Sequence, residues 1–199
     1  MTADTRERLI ESAIGLVLTS GYHAIGVKEI CQNAHVQKGS FYHFFPSKDA
    51  LVIEALNRQW AHQTQLLLDP VFNQAIPPLD RIVKMFEVMS EHQTHLKHSY
   101  GKVYGCPVGS LAQELSIHNE PLRNALTIIF QSWTSYIEGA LGEAIAADDL
   151  PITTPISQTA QSILSYLQGL MLMAKTFNDP DIIQRGALNA KTMIENSPI

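Results

Sequence analysis

The chain of 199 residues is short of several things, and each shortage excludes a class of protein. Its two cysteines, Cys31 and Cys106, cannot build a disulfide framework and point to a reducing compartment. The most apolar stretch, Ile163 to Ala174, is interrupted by Ser165, Gln168 and Gly169. It falls short of the roughly 20 residues a membrane helix needs. The opening residues, Met1 to Glu7, carry charges of both signs and no apolar centre, so a cytoplasmic location without a secretory signal is expected. No internal repeat, low-complexity tract or clear strand pattern is present. A nucleophile elbow, a phosphate loop, a His-Glu-x-x-His helix and a Cys-x-x-Cys pair are all missing, so neither an enzyme nor a cofactor is expected.

What is present is globular in composition, with 45% hydrophobic and 17% charged residues. The net charge of −5 argues against a generally sticky nucleic-acid binder. The charge is unevenly spread, however. Residues 1–60 carry six basic and six acidic side chains, whereas residues 61–199 carry eight against thirteen. The lysines of the neutral first part cluster between Lys28 and Lys48, where they can meet phosphates.

Helical signals run throughout and predict an all-α fold of about nine helices. Asp4 is an expected N-cap, and Ile10, Ile14 and Val17 recur at helical spacing until Ser20-Gly21. Two short helices follow, about Val27 to Ala34 and Lys38 to Phe44. Ser47 caps a fourth, carrying Val52, Leu56 and Trp60 on one face and continuing to about Leu68. Pro70 to Pro78 reads as a connection. Leu79, Ile82, Val83, Phe86 and Met89 mark the next helix, Gly101 to Gly105 a loop, and Cys106-Pro107 the start of a helix to about Ser116. A long helix from Leu122 ends near Ala147. Thr154-Pro155 and Asp179-Pro180 each read as an N-cap with proline in the first helical position, opening the last two helices.

The second and third helices, with His35-Val36-Gln37 between them, have the spacing of a helix-turn-helix, whose second helix enters the major groove. Val27, Ile30 and Val36 can pack the pair, and Phe41, Phe44 and Phe45 can lock the second helix. Lys38, Ser40, Tyr42 and His43 are then left to face outward. A helix of two turns is marginal alone and must be held by packing. The stretch GYHAIGVKEICQNAHVQKGSFYHFFPSKDAL, Gly21 to Leu51, resembles the DNA-binding domain of the tetracycline-repressor (TetR) family. Its most specific part runs from Val36 to Leu51, and the helix plan is similar over the whole chain.

The resemblance implies a DNA-binding domain over residues 1–48 and an effector-binding and dimerisation domain over residues 49–199. It implies that Gly39 lets the backbone approach DNA, that Ser40 and His43 approach base edges, and that Lys38 and Tyr42 meet phosphates or bases. Lys48 would contact phosphate at the start of the fourth helix, and Lys28 from the second. Two positions depart from the family pattern. Gln37 stands where a capping Ser or Thr is frequent, and Gly26 where a Thr often contacts the backbone.

In the second part, Ile163, Leu167, Leu170 and Ala174, with Ile183, Ala187, Ala190 and Ile194, form apolar stripes on the last two helices. The resemblance implies that these helices pair in a homodimer, and two copies on palindromic operator DNA would supply the specificity one short helix lacks. Met85, Phe86, Met89, Phe130, Trp133, Tyr136, Tyr166 and Met171 are soft or aromatic residues suited to line a pocket for a small-molecule effector. Equally, they suit an ordinary core. Cys106, as N-cap before Pro107, would meet unpaired amides that favour a thiolate. Lys175 closes the apolar run Leu170 to Ala174, an odd place for a charge, and either snorkels outward or meets a polar partner. The Gly-Cys pair resembles a TetR subgroup that includes repressors responding to electrophiles and oxidants. Cys106, with Lys175 near it, is therefore a candidate sensor, against the plainer reading of an inert buried thiol. His92, His95 and His98 repeat at three-residue steps, but no ligand set completes them and no metal is expected. The reading is a transcriptional regulator, in the family majority a repressor, released by an effector or by modification of Cys106. A helical protein-interaction module without specific DNA binding is the alternative.

Overall fold

The computed structural model describes the backbone from Thr2 to Glu195, with the side chains of Thr2 to Asp4, Leu18 and Glu195 left undescribed. Every regular element among the described residues is helical. In order they are α1 (Thr2–Ser20), α2 (Val27–Asn33), α3 (Lys38–Phe44), α4 (Lys48–Gln63), a π-helical turn (Thr64–Leu68), α5 (Asp69–Phe72), α6 (Pro78–Tyr100), α7 (Pro107–Leu115), α8 (Glu120–Ala146), α9 (Ile156–Phe177) and α10 (Asp181–Glu195). With residues 48–72 taken as one rod, the described residues make nine helices, as the periodicity predicts. None is long and apolar enough to cross a membrane.

Several local expectations are corrected. Asp4 is already inside α1, which begins at Thr2, and its side chain lies outside the described residues. The helix from Ser47 does not give way to a loop at Pro70. Because Pro70 has no N–H to continue an α ladder, the run widens first into π bonding, with the Asp69 N–H on the Thr64 carbonyl, and continues to Phe72. Finally, Pro155 rather than Thr154 is the N-cap of α9, and no side chain caps it. The Ser47 cap is as read, its Oγ accepting the Ala50 N–H at 3.1 Å. Asp179 Oδ1 accepts the Asp181 N–H at 3.1 Å, but α10 opens at Asp181, so Pro180 stands one residue before the first helical position expected for it.

The chain packs as two compact units, residues 1–62 with 107–129 and residues 63–106 with 130–199. This division differs from the expected boundary after residue 48. In the first unit, α4 buries Leu51, Val52, Ala55 and Leu56. Val52, Ala55 and Leu56 face Ala13, Ile14 and Val17 of α1 across a small apolar gap. Ion pairs Arg6–Glu54 and Arg58–Glu7 tie α1 to α4 along the surface. α4 is therefore a wall of the first unit's core.

In the second unit α10 packs on α6 and on α9. Ile163, Leu167, Ala174, Ile183, Ala187, Ala190 and Ile194 are all buried there. The stripes expected to pair two protomers thus fill the core of one, all but Leu170, which is half-buried. The apolar residues that α9 and α10 leave exposed are different ones: Leu172, Met173, Phe177, Leu188 and Met193.

Candidate DNA interface and effector half

The turn between α2 and α3 is tight. His35 adopts a left-handed conformation (φ 54°), and the Val36 N–H reaches the Cys31 carbonyl at 2.9 Å. Ser12 Oγ donates to the Ile30 carbonyl at 3.0 Å and accepts from Asn33 Nδ2 at 3.0 Å. Arg8 Nη1 reaches the Ala34 carbonyl at 3.2 Å. These bonds seat α2 and its turn on α1. α3 is held by Phe41, which is fully buried, with Phe45 beside it at 6.1 Å between ring centres. Burying two aromatic rings on one side anchors a helix too short to persist alone.

The opposite side of α3 is open. Lys38, Gly39, Tyr42 and His43 are exposed, with Tyr42 55% accessible, and Ser40 is half-buried. Nothing lies within 4 Å of the place a Gly39 Cβ would take, so a flat partner can come close to the backbone. Lys28 on α2 and Gln37 before α3 are also exposed. Gln37 makes no side-chain cap, in keeping with glutamine's poor capping. At Gly26 the cap works in reverse: Glu29 Oε2 accepts the Gly26 N–H at 2.9 Å, and a Cβ there would sit 2.7 Å from that oxygen.

Lys48 is placed differently from the expectation. Its Nζ donates to the carbonyls of Tyr22 (3.1 Å) and Ile25 (2.9 Å) and lies 3.6 Å from the centre of the Tyr22 ring. Burial lowers its pKa, while Asp49 and Glu114 oppose that shift. The ammonium is committed to the α1–α2 turn, which makes it an internal tie.

In the second unit the candidate pocket residues fall into two groups. Met85, Phe86, Met89, Trp133 and Met171 are buried, and Phe130, Tyr136 and Tyr166 half-buried. Trp133 Nε1 meets Met85 Sδ at 3.3 Å. The Tyr136 hydroxyl donates to Asp69 Oδ1 at 2.6 Å, and burial with this bond pushes its pKa up to about 12. Phe86 and Tyr166 stack obliquely at 6.1 Å. Within this unit the buried Gln168 side-chain nitrogen has no hydrogen-bond partner among the described residues. It sits one helical turn from Met171 and two from Lys175. Nothing in the local sequence singled it out.

Cys106 is buried, at 8% accessible. The loop before it is built around Gln93, itself 2% exposed. Gln93 Oε1 accepts the N–H groups of Tyr104 (3.0 Å) and Gly105 (2.9 Å), and Nε2 donates to the Gly105 carbonyl at 3.0 Å. Gly105 has φ 68° and lies flat on α9. A Cβ there would be 3.0 Å from the Met171 carbonyl oxygen and 3.2 Å from Lys175 Cβ, so only glycine fits. The stem of Lys175 therefore packs on the residue next to Cys106, while the side chain as a whole is exposed. Cys31, the other thiol, is also buried, and burial raises its pKa. His95 and His98 line an open cleft with Ser90, Glu91, Thr94, Asp181 and Gln184. No group of metal-ligating side chains assembles among the described residues.

An all-helical chain with a short, aromatic-anchored second helix exposing a basic and polar face is a helix-turn-helix regulator in outline. Residues 9–55 match the family of bacterial regulatory proteins, tetR family, and residues 78–189 match the tetracyclin repressor-like C-terminal domain. The chain belongs to the TetR family of transcriptional regulators, which are DNA-binding proteins and not enzymes. It is 31% identical to the transcriptional regulator AcuR of Cereibacter sphaeroides over 88% of this chain and 78% of that one. It is 27% identical to the HTH-type transcriptional repressor NemR of Escherichia coli K12, over 96% and 94% of the two chains. The crystal structure of reduced E. coli NemR superposes with a TM-score of 0.84, covering 98% of this chain and all of the other at 26% identity. Members of this family bind operator DNA and act as dimers.

Proposed function

We propose that the chain is a repressor that binds a palindromic operator as a homodimer, with α3 of each protomer in the major groove. The two half-sites would lie about 34–36 Å apart, or a multiple of that. The observation that carries this is the two-sidedness of α3: Phe41 is fully buried, while Lys38, Gly39, Tyr42 and His43 face solvent. In this reading Tyr42, His43 and Ser40 approach bases, Lys38 and Lys28 meet phosphates, and Lys48 holds the turn behind them. The exposed apolar residues of α9 and α10 join the two protomers.

Release comes from the second unit. Cys106 is the sensor in this reading. Its loop is clamped by Gln93 and packed on Lys175, so adding bulk or charge to the buried thiol must displace that loop. The similarity to E. coli NemR, whose crystal structure is of a reduced form, supports redox-dependent control in this reading. A non-covalent effector would instead bind among Met85, Trp133 and Met171, with Gln168 offering a hydrogen bond. Either trigger works only by stabilising the state with the wrong spacing of recognition helices.

Fluorescence anisotropy on the DNA flanking the gene, against a scrambled fragment with salt varied, tests the operator reading. Tight, selective binding with a steep salt slope is expected. Titration of that complex with N-ethylmaleimide should release the parent protein and leave Cys106→Ser bound. Release of the serine variant at the same dose would exclude Cys106 as the sensor.

A further inference from the structure

The α1–α2 turn, residues 21–26, is gripped by side chains that no DNA contact requires. Glu114 of α7 accepts two consecutive backbone N–H groups, Tyr22 on Oε2 (3.1 Å) and His23 on Oε1 (2.7 Å). Lys48 holds the carbonyls of the same turn. The Tyr22 hydroxyl donates to Asp49 Oδ1, and Asp49 Oδ2 accepts Asn119 Nδ2 at 2.9 Å. Asn119 Oδ1 at the same time accepts the Leu122 N–H at 3.0 Å and so caps α8. Gly21, with φ 80°, makes room for the clip, since a Cβ there would lie 3.1 Å from Glu114 Oε2.

The turn is the place where the angle of α2 and α3 to α1 is set. At its far end α2 is seated on α1 by Ser12 and Arg8. At its near end the turn is fixed by α4, α7 and the start of α8. A carboxylate on two successive amides is a charge-assisted, directional contact, and it is lost when donor and acceptor separate by much less than a side chain's width. An apolar contact would slide under the same displacement.

We propose that Glu114 and Asn119 are positioning residues for DNA binding. They clip the α1–α2 turn and the start of α4 to α7 and α8, fixing the pose in which α3 reads DNA, and a displacement of α7 undoes that pose. The proposal rests on α3 being the DNA-reading helix.

The test uses a duplex selected by the parent protein from a randomised pool, with a shuffled duplex as control. Glu114→Gln places an NH2 group against one of the two amides. Asn119→Asp keeps the α8 cap and sets like charge against Asp49. In each, affinity for the selected duplex should fall about tenfold, the loss expected for a hydrogen bond to a charged group. Affinity for the shuffled duplex and its salt slope from about 50 to 200 mM should stay at parent values. Melting temperatures should stay within about 3 °C. Parent-like selectivity in both variants, or equal weakening on both duplexes, would overturn the proposal. If either variant melts far below the parent, Tyr22→Phe decides. It keeps the ring beneath Lys48 and loses only the bond to Asp49, so selectivity must fall about threefold, and unchanged selectivity overturns the proposal. A parent that selects no duplex removes the DNA-reading role of α3 and the proposal with it, a failure distinct from the others.

Discussion

Lys48 and Lys38 are ten residues apart and carry the same charge, yet their surroundings give them different work. Lys38 is exposed at the start of α3. Lys48 has its ammonium on two carbonyls and a ring. Lys38→Ala should weaken binding to all DNA sequences alike and lower the salt slope by about one, the mark of a lost phosphate contact. Lys48→Met should leave that slope unchanged. It should cost about 1–2 kcal/mol of stability, because two part-buried carbonyls lose their donor. It should also weaken selective binding through the loosened turn. Urea unfolding and anisotropy over a salt series separate the two residues. An equal drop in salt slope would return Lys48 to the phosphate contacts.

At the scale of the element, α3 shows how far the sequence can be read and where reading stops. Its limits, Lys38 to Phe44, follow from the alternation of aromatic and polar residues, and so does the outward face. Phe41→Ala should cost about 3–5 kcal/mol, read by urea unfolding, because the ring is fully buried. Tyr42→Ala should leave stability within about 0.5 kcal/mol and act on DNA affinity. The elements that were less legible depend on partners distant in the chain. Glu114 looks like any surface glutamate of an amphipathic helix until Tyr22 and His23 are placed beside it, 92 and 91 residues away. The stripes of α9 and α10 have the right period, but period alone does not tell a seam between protomers from a core within one. Burial decides that, and it assigns Ile163, Leu167 and Ile183 to the core. At Pro70 the apolar pattern carries on through Leu68 and Val71 while the proline argues for a stop. The π turn reconciles the two signals.

For the whole molecule, the charge distribution and the exposed apolar residues of α9 and α10 bear on the proposed binding of DNA as a dimer. The acidic excess of residues 61–199 repels duplex DNA, and the neutral first part with its exposed lysines does not, which favours the proposed contact through α3. Phe177, 68% exposed, and Leu188, 74% exposed, are the most exposed of the apolar residues on α9 and α10 proposed to join two protomers. A Phe177→Glu, Leu188→Glu double variant should sediment as a monomer at micromolar concentration and lose operator binding, because one recognition helix spans too few base pairs. A double variant that remains a dimer would move the interface elsewhere.

In the proposed dimer, those apolar residues also govern how operator occupancy answers to the number of molecules in a cell. While protomers stay paired at working concentration, occupancy rises in proportion to synthesis. Once pairing becomes the weak step, occupancy follows the square of protomer concentration, and halving synthesis cuts it by up to a factor of four. Large apolar side chains left in water by α9 and α10 make the lone protomer the costly species. In the proposed dimer they keep the regulator in the proportional regime, where a low and noisy supply still holds the promoter shut. Substitutions that trim Leu172, Met173 or Met193 would turn a graded dose response into a threshold without touching α3.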